Sequence, residues 1–161
     1  MATKALITAE QYLATHFERE PEFVHGEIVE RTLPNLSHGR TQQRLAVLLD
    51  GAGFCCTEVR MRLAEDVYRI PDVAVFGGTG PAEEVPSSPP LLAVEVSSPD
   101  DRLHDLLQKL EEYRVWGVAH IWLVEPELRK FHIYDNGSLT EVSRLELPEV
   151  GFAVTAAELF A

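Results

Sequence analysis

Two short apolar segments that each carry a single acid are the feature that most constrains this chain. Residues 70–76 read IPDVAVF and residues 91–98 read LLAVEVSS. Runs of valine, isoleucine and leucine are typical of strands that are buried on both faces of a sheet. A carboxylate in such a strand is costly unless a partner compensates its charge. We therefore expect Asp72 and Glu95 to lie close together in a sheet.

The repulsion between two such carboxylates must be offset by another interaction. At a separation of about 4 Å and an effective dielectric near 20, two carboxylates repel each other by about 4 kcal/mol. Either one of them takes up a proton or a cation lies between them. The residues alone leave both alternatives open, and the choice decides whether the pair is structural or part of a metal centre.

Length and composition indicate one globular domain spanning residues 1–161. The chain has 161 residues, of which 45% are hydrophobic, which is enough for an ordinary core. No apolar run approaches the roughly 20 residues of a membrane span, and residues 1–7 lack the apolar stretch of a secretion signal. These observations predict a cytoplasmic protein without a membrane partner. The adjacent Cys55 and Cys56 should point to opposite faces of a strand and stay reduced.

The charge is unevenly distributed. A net charge of −12 disfavours nonspecific binding to nucleic acid. Residues 31–69, however, hold six arginines against four acids, a balance of +2, so the rest of the chain carries −14. This pattern fits either a basic face on an acidic body or chance variation with surface salt bridges.

Hydrophobic periodicity predicts a mixed α/β arrangement. Strands are expected at residues 23–32, 54–63, 70–76, 91–98 and 119–124, and a hairpin at residues 130–142 around Asn136 and Gly137. Helices are expected from the capping box at residues 8–11 to about Arg19, from Ser37 to Gly51, from Ser98 to Gly117, and at residues 155–160. This order predicts a central mixed β-sheet flanked by helices, with a C-terminal β-hairpin. The strand of Glu95, the third helix and the strand at 119–124 have the length of a βαβ unit.

Lys109 lies at the edge of the apolar stripe of the third helix. The stripe is predicted to bury Leu103, Leu106, Leu107 and Leu110. A lysine at such an edge can lay its methylenes on the core and extend its ammonium beyond it. If the helix packs over the sheet, that ammonium could reach the two acids.

Taken in order, these features resemble the PD-(D/E)XK nucleases, which place a Pro-Asp at one strand and an acid-X-Lys on the next. Within that superfamily the chain is similar to the Uma-two type of restriction endonuclease. The matching segments are residues 21–30 (PEFVHGEIVE), Ser37 and His38, residues 71–73 (PDV), residues 95–99 (EVSSP), Lys109, Tyr113, Gly117 and Val118, and residues 121–124 (IWLV). The resemblance implies a restriction-endonuclease-like fold.

The resemblance also implies a role for each matching site residue. Asp72 and Glu95 would hold a divalent ion, Mg²⁺ or Mn²⁺, with the main-chain carbonyl of Val96 as a further ligand. Glu22 matches an acid that completes the metal site from the N-terminal region. Lys109 would orient the attacking water or neutralise the phosphorane. The implied activity is metal-dependent hydrolysis of a nucleic-acid phosphodiester, with DNA as the expected substrate.

The expected assembly is a homodimer. An apolar hairpin that begins at Lys130 and the exposed ends of the sheet suggest that two copies associate. Two copies would also present two sites to the two strands of a duplex.

One departure from the superfamily pattern supports a competing hypothesis. Ser97 stands two residues after Glu95, where the superfamily has its lysine, so Lys109 would be a replacement supplied by the helix. The alternative is a catalytically inactive nuclease-fold protein that acts in binding or assembly.

Simpler structural interpretations also apply to individual site residues. Asp72 could only begin a strand and accept a backbone N–H, Glu22 could be a solvated loop acid, and Lys109 could lie on the surface. His38, at a helix start, could contact a phosphate or be an ordinary surface histidine.

Overall fold

The computed structural model describes residues 5–161, which form four α-helices and twelve β-strands. The helices are α1 (Ala9–Ala14), α2 (Leu36–Leu49), α3 (Leu103–Trp116) and α4 (Ala156–Leu159). The strands are β1 (Glu22–Val24), β2 (Glu27–Val29), β3 (Phe54–Thr57), β4 (Met61–Ala64), β5 (Val67–Arg69), β6 (Val73–Phe76), β7 (Leu92–Val96), β8 (His120–Glu125), β9 (Lys130–Asp135), β10 (Ser138–Val142), β11 (Arg144–Leu147) and β12 (Phe152–Thr155). Residues 1–4, which are part of the segment predicted to lack a secretion signal, lie outside the described residues. No helix within residues 5–161 has the length and apolar character needed to cross a membrane.

A six-stranded mixed sheet organises the fold. Its strand order is β10-β9-β8-β7-β6-β3. β7 and β8 run parallel and are joined through α3, as the predicted βαβ unit requires, and the other neighbours pair antiparallel. β9 and β10 form the predicted hairpin, with Asn136 and Gly137 both at positive φ in its turn. The predicted central mixed sheet with a C-terminal β-hairpin is therefore confirmed.

Strand alternation divides the core of this sheet into two layers. On one face Val73, Val75, Val94 and Val96 pack in a cluster with Leu45 and Leu49 of α2. On the other face Ala74 and Ala93 pack with Leu110 and Tyr113 of α3. Because successive side chains of a strand point to opposite faces, Glu95 belongs with Ala93 on the α3 face, whereas Asp72 directly precedes β6. The alternation therefore directs Glu95 towards the helix that carries Lys109.

The adjacent cysteines follow the same alternation. Cys55 packs against the α2 cluster and Cys56 against the α3 cluster, and both thiols are free and half-buried. The expectation that they point to opposite faces is confirmed.

A second sheet, which the sequence did not predict, lies beside the first. It is antiparallel throughout, in the order β2-β1-β5-β4. The single strand predicted over residues 54–63 is wrong because Glu58 adopts a positive φ of 53°, and the chain passes there from β3 in the central sheet to β4 in the second. The strand predicted over residues 23–32 is instead the β1–β2 hairpin, and Gly26 supplies the turn at φ 89°.

Three helix boundaries differ from those predicted. α1 ends at Ala14 because Thr15 has already left the helical conformation. Asn35, not Ser37, caps α2, and its side chain accepts the N–H of His38. α3 begins at Leu103, and Leu103 itself is 64% exposed, so its predicted burial is wrong. The β11–β12 hairpin near the C-terminus was also not predicted.

Candidate active site

The predicted site residues line one cleft of about 270 Å³, where the two sheets meet the beginnings of α2 and α3. The second sheet contributes Glu22 and Arg69, the central sheet contributes Glu95 and Val96, and α3 contributes Lys109. Asp72 directly precedes β6. The cleft therefore contains all five residues singled out from the sequence.

The register of β6 and β7 brings the two acids together. Val73 pairs with Val94, so one further step along this antiparallel pair leads to Asp72 and Glu95. The backbone N–H of Asp72 donates to the carbonyl of Val94 at 3.1 Å. Each acid is only 6% exposed. Oδ2 of Asp72 accepts the N–H of Val96 at 2.7 Å, which fixes the carboxylate against the strand of its neighbour.

Lys109 reaches Glu95 from α3, as its place on the helix predicted, but its second carboxylate contact is Glu22 and not Asp72. Its Nζ lies 2.6 Å from Oε1 of Glu22 and 2.9 Å from Oε1 of Glu95. It also donates to the carbonyl oxygen of Ile70 at 3.0 Å. An ammonium has three hydrogens, and three acceptors surround this one. Burial would lower the pKa of Lys109, but Glu22 and Glu95 outweigh burial and raise it above its ordinary value. The surface alternative for Lys109 is thus wrong.

Glu22 is a buried residue of β1 and not a solvated loop acid. It is 3% exposed, and its Oε1 accepts the N–H of Ile70 at 2.8 Å in addition to its contact with Lys109. Its Oε2 accepts a hydrogen bond from Arg69 at 3.0 Å. Burial would raise the pKa of Glu22, but Lys109 and Arg69 together hold it below its ordinary value. Both oxygens of this carboxylate are therefore held by protein donors.

Glu95 lies in a less compensated environment. Its Oε1 lies 2.9 Å from Nζ of Lys109 and accepts a hydrogen bond from the Tyr113 hydroxyl at 2.7 Å. Lys109 and Tyr113 are four residues apart and so share one face of α3. The pKa of Glu95 is raised to about 7, because burial, together with the negative charges of Asp72 and Glu22, outweighs the opposing effect of Lys109. Burial and Glu95 also raise the pKa of Tyr113 well above its ordinary value.

Two residues at the site were not assigned to it from the residue pattern. His38, in the first turn of α2, is buried, and its Nε2 lies 3.3 Å from Oδ1 of Asp72. The interpretation of His38 as a surface histidine is therefore wrong. Burial would lower the pKa of His38, and Asp72 outweighs burial and raises it. Arg31 places Nη2 3.9 Å from the same Asp72 oxygen. His38 was indicated by the resemblance and by its place at a helix start, and Arg31 only as one of the six arginines of residues 31–69.

The donor set at the cleft fits a cation that keeps much of its water. Within residues 5–161 no group of three or more His, Cys, Asp or Glu side chains is arranged to hold a metal ion. Mg²⁺, however, typically uses one or two carboxylates and retains several waters, in contrast to zinc, which is enclosed by protein ligands. Asp72 and Glu95 offer two carboxylates of this kind at the edge of the cleft, and Val96 lines it beside them.

The fold is shared with a solved structure. A crystal structure described as a putative nuclease belonging to DUF820, from Anabaena variabilis, superposes with a TM-score of 0.82. The two chains are 18% identical, and the match covers 96% of this chain and 97% of the other. This similarity shows the predicted nuclease-like fold. No curated protein matches the chain.

Sequence comparison supplies the family. The family Uma2, described as "Putative restriction endonuclease", matches residues 9–156, which include all of the site residues described above. The chain therefore belongs to the Uma2 family.

Proposed function

We propose that this protein is a metal-dependent endonuclease that hydrolyses DNA phosphodiester bonds. The observation that carries the proposal is the convergence of Asp72, Glu95 and Lys109 in one cleft, with the ammonium of Lys109 2.9 Å from Glu95. Two carboxylates and one cationic donor are the groups that metal-assisted phosphoryl hydrolysis requires. The family description supports nuclease activity, whereas the metal, the DNA substrate and the residue roles belong to the proposal.

In this proposal Asp72 and Glu95 hold Mg²⁺ or Mn²⁺, and the carbonyl of Val96 is a further ligand. The bound cation supplies an activated water and offsets negative charge at the scissile phosphate. Lys109 presents positive charge beside Glu95, where charge develops during hydrolysis. The resemblance also predicts Glu22 as a metal ligand, and that stays a prediction. Its contacts with Lys109 and Arg69 favour a positioning role.

Binding of the cation at Glu95 is coupled to release of a proton from the same carboxylate. With a pKa of about 7, Glu95 is about half protonated at neutral pH. A cation that binds the carboxylate displaces that proton, so cation binding and deprotonation of Glu95 compete for the same group. His38 of α2 contacts the other acid, Asp72, with Nε2 3.3 Å from its Oδ1.

Plasmid cleavage tests the proposal directly. Purified protein is incubated with supercoiled plasmid and Mg²⁺ or Mn²⁺, and nicking is measured for wild type, Asp72→Asn, Glu95→Gln and Lys109→Met. We expect each substitution to slow cleavage by about a hundredfold or more. Lys130→Met is the matched control, because Lys130 is an exposed lysine of β9 whose ammonium pairs with Glu141, away from the cleft. Cleavage that persists unchanged in Asp72→Asn would contradict the proposal and point to a contaminating nuclease.

A specific observation favours the competing function, a nuclease-fold protein that binds nucleic acid or another partner without cutting. All three hydrogens of Lys109 are directed at protein acceptors, and Ser97 occupies the position of the superfamily lysine. Such a lysine can act purely as a structural counter-charge. Duplex binding by wild type without nicking in either metal would support this second function.

The expected homodimer is also a proposal. Among the strands of residues 5–161, β10 lies at the edge of the central sheet beside β9, so its outer edge is open to pairing with a second copy. Light scattering on the purified protein would show about 36 kDa for a dimer, twice the 18.0 kDa of one chain. A cytoplasmic location remains a prediction.

A further inference from the structure

Arg31 is a cationic side chain at the cleft that the proposed chemistry does not yet use. It follows β2 and places Nη2 3.1 Å from Oε1 of Glu58 and 3.9 Å from Oδ1 of Asp72. The side chain is 13% exposed and lines the cleft. Its guanidinium is therefore close to one of the proposed cation ligands while remaining accessible from the cleft.

The backbone at Arg31 is held from both sides. Arg19 donates from Nη1 to the carbonyl of Arg31 at 2.9 Å and from Nη2 to the carbonyl of Thr32 at 2.7 Å. The hydroxyl of Thr32 donates to Oδ1 of Asp101 at 2.9 Å. A side chain whose backbone is fixed in this way loses less conformational freedom when it binds a ligand. The guanidinium of Arg31 therefore extends from a backbone segment that is already ordered.

The donor capacity of Arg31 is mostly unused. A guanidinium has five N–H donors in a planar fork, and within residues 5–161 this one makes a single hydrogen bond, to Glu58. Planar forks of this kind are suited to bidentate contacts with phosphate oxygens. The remaining donors can therefore bind an anionic ligand in the cleft.

The charge beside Asp72 also argues for an anionic ligand. A positive guanidinium 3.9 Å from Asp72 opposes the binding of a cation to that carboxylate. If a cation occupies Asp72, Arg31 loses its attraction to that acid and lies beside a second positive charge. A phosphate that bridges the cation and the guanidinium resolves this repulsion.

We propose that Arg31 is a phosphate contact that binds non-bridging oxygens of the phosphodiester in the cleft. This inference rests on the proposed function, because it assumes that a nucleic-acid phosphate enters beside Asp72 and Glu95. Glu58 holds the guanidinium in the absence of substrate. Its side chain is 46% exposed, so it can release Arg31 to the phosphate and be solvated itself.

Two separate affinities test the role of Arg31. Anisotropy of a labelled short DNA duplex with Ca²⁺ gives the affinity for DNA, and a gel verifies that the duplex stays intact. Calorimetry with Ca²⁺ alone gives the affinity for the cation. The variants are Arg31→Ala, Arg31→Lys and Glu58→Gln. Arg62→Ala is the matched control, because Arg62 is an exposed arginine of β4 outside the cleft.

A phosphate contact predicts opposite effects on the two affinities. Arg31→Ala should weaken duplex binding about tenfold and lower the slope of log affinity against log salt by about one. The same variant should bind Ca²⁺ as well as wild type or more tightly, because a repelling charge is removed from Asp72. Arg31→Lys keeps the charge without the fork and should lose less duplex affinity, and Glu58→Gln should bind the duplex more tightly.

Four results would overturn the inference. The first is duplex affinity in Arg31→Ala equal to that of Arg62→Ala. The second is a parallel loss of duplex and Ca²⁺ affinity, which would show that Arg31 only positions Asp72. If Arg31→Ala does not fold, Arg31→Lys and Glu58→Gln decide, and unchanged duplex affinity in both overturns the inference. Wild type without duplex affinity in any divalent cation would overturn the proposed function and this inference with it.

Discussion

Glu22 and Glu95 are two buried carboxylates that contact the same lysine, yet their acidities are shifted in opposite directions. Nζ of Lys109 lies 2.6 Å from Glu22 and 2.9 Å from Glu95. Burial opposes ionisation of both acids, but the pKa of Glu22 is lowered and that of Glu95 is raised to about 7. The shared lysine therefore cannot be what distinguishes them.

The difference lies in the other neighbours. Glu22 gains a second cation, Arg69, and the N–H of Ile70, so its charge is fully compensated. Glu95 gains only the hydroxyl of Tyr113, and Asp72 adds a repelling charge. One half of the site is thus a closed ion-pair network, and the other half has excess negative charge. A bound cation stabilises a cleft most where negative charge is in excess. We therefore infer that Glu22 positions Lys109 and that Glu95 binds the cation.

The largest expected effect is the loss of stability in Glu22→Gln. This change removes the carboxylate that lies between the two buried cations Lys109 and Arg69, and each of them keeps one other acid, Glu95 and Glu112 respectively. Removing one partner of a buried ion pair costs about 3–5 kcal/mol, because the remaining charge is uncompensated. Urea unfolding at pH 7 would measure the change in the free energy of unfolding.

Glu112→Gln is the matched control for Glu22→Gln. Glu112 also accepts from Arg69, but its side chain is 21% exposed and water can replace the lost interaction. We expect a loss of about 1 kcal/mol for this variant. Equal losses in the two variants would contradict the assignment of Glu22 to a closed network.

Glu95→Gln should raise the free energy of unfolding, in contrast to Glu22→Gln, and the size of this effect should depend on pH. In the folded protein the pKa of Glu95 is about 7, against an ordinary value of 4.5, so stability that is present below pH 4.5 is lost as the pH rises through 7. Glutamine removes this ionisation and can still accept from Lys109 and Tyr113. We expect Glu95→Gln to stabilise the cation-free protein by about 1–2 kcal/mol at pH 8 and to have almost no effect at pH 4.

Urea unfolding at the two pH values checks the effect of Glu95→Gln. Glu146→Gln is the control, because Glu146 is an exposed acid of β11 that pairs with Arg144, and it should show no comparable pH dependence. Destabilisation by Glu95→Gln at pH 8 would mean that Glu95 is as well compensated as Glu22.

The sequence predicted the less compensated half of the site better than the closed half. Asp72 and Glu95 stand out because each is a lone acid in an apolar segment of the chain. The contacts of Glu22 depend on the second sheet, which was hidden because the alternating pattern of residues 54–63 continues through Glu58. Only the positive φ at Glu58 ends the strand, and a glutamate gives no turn signal.

His38 and Arg31 illustrate a second limit of sequence analysis. Both reach Oδ1 of Asp72 from positions more than 30 residues earlier in the chain, and neither belongs to a spaced pattern. Such contacts arise from how α2 and the segment after β2 pack against the central sheet. Local periodicity carries no information about that packing, so the tertiary structure is needed to find them.

Cation affinity should fall as the pH is lowered below 7. A cation that binds Glu95 must displace its proton, so the affinity should decrease about tenfold per pH unit between pH 7 and 5 and change little above pH 8. Calorimetry with Mn²⁺ at several pH values measures this dependence. His38→Gln is the matched variant, because the pKa of His38 is raised and its protonation adds positive charge beside Asp72. A slope of one that persists in His38→Gln assigns the proton to Glu95, and an affinity independent of pH would contradict the role of Glu95 as a ligand.

The smallest expected effect is that of Tyr113→Phe, which removes the hydroxyl that donates to Glu95 at 2.7 Å. Hydrogen bonds to charged groups contribute about 1.5–3 kcal/mol, and Lys109 remains as a partner, so we expect a loss of about 1 kcal/mol in the free energy of unfolding at pH 8. The loss should be smaller at pH 5, where Glu95 is neutral and the bond is no longer charge-assisted. Tyr134→Phe is the matched control, because its hydroxyl donates at the same distance of 2.7 Å to Glu111, whose side chain is 39% exposed, so that water can replace the lost bond. If Tyr113→Phe and Tyr134→Phe behave alike at both pH values, Tyr113 contributes nothing specific to the charged form of Glu95.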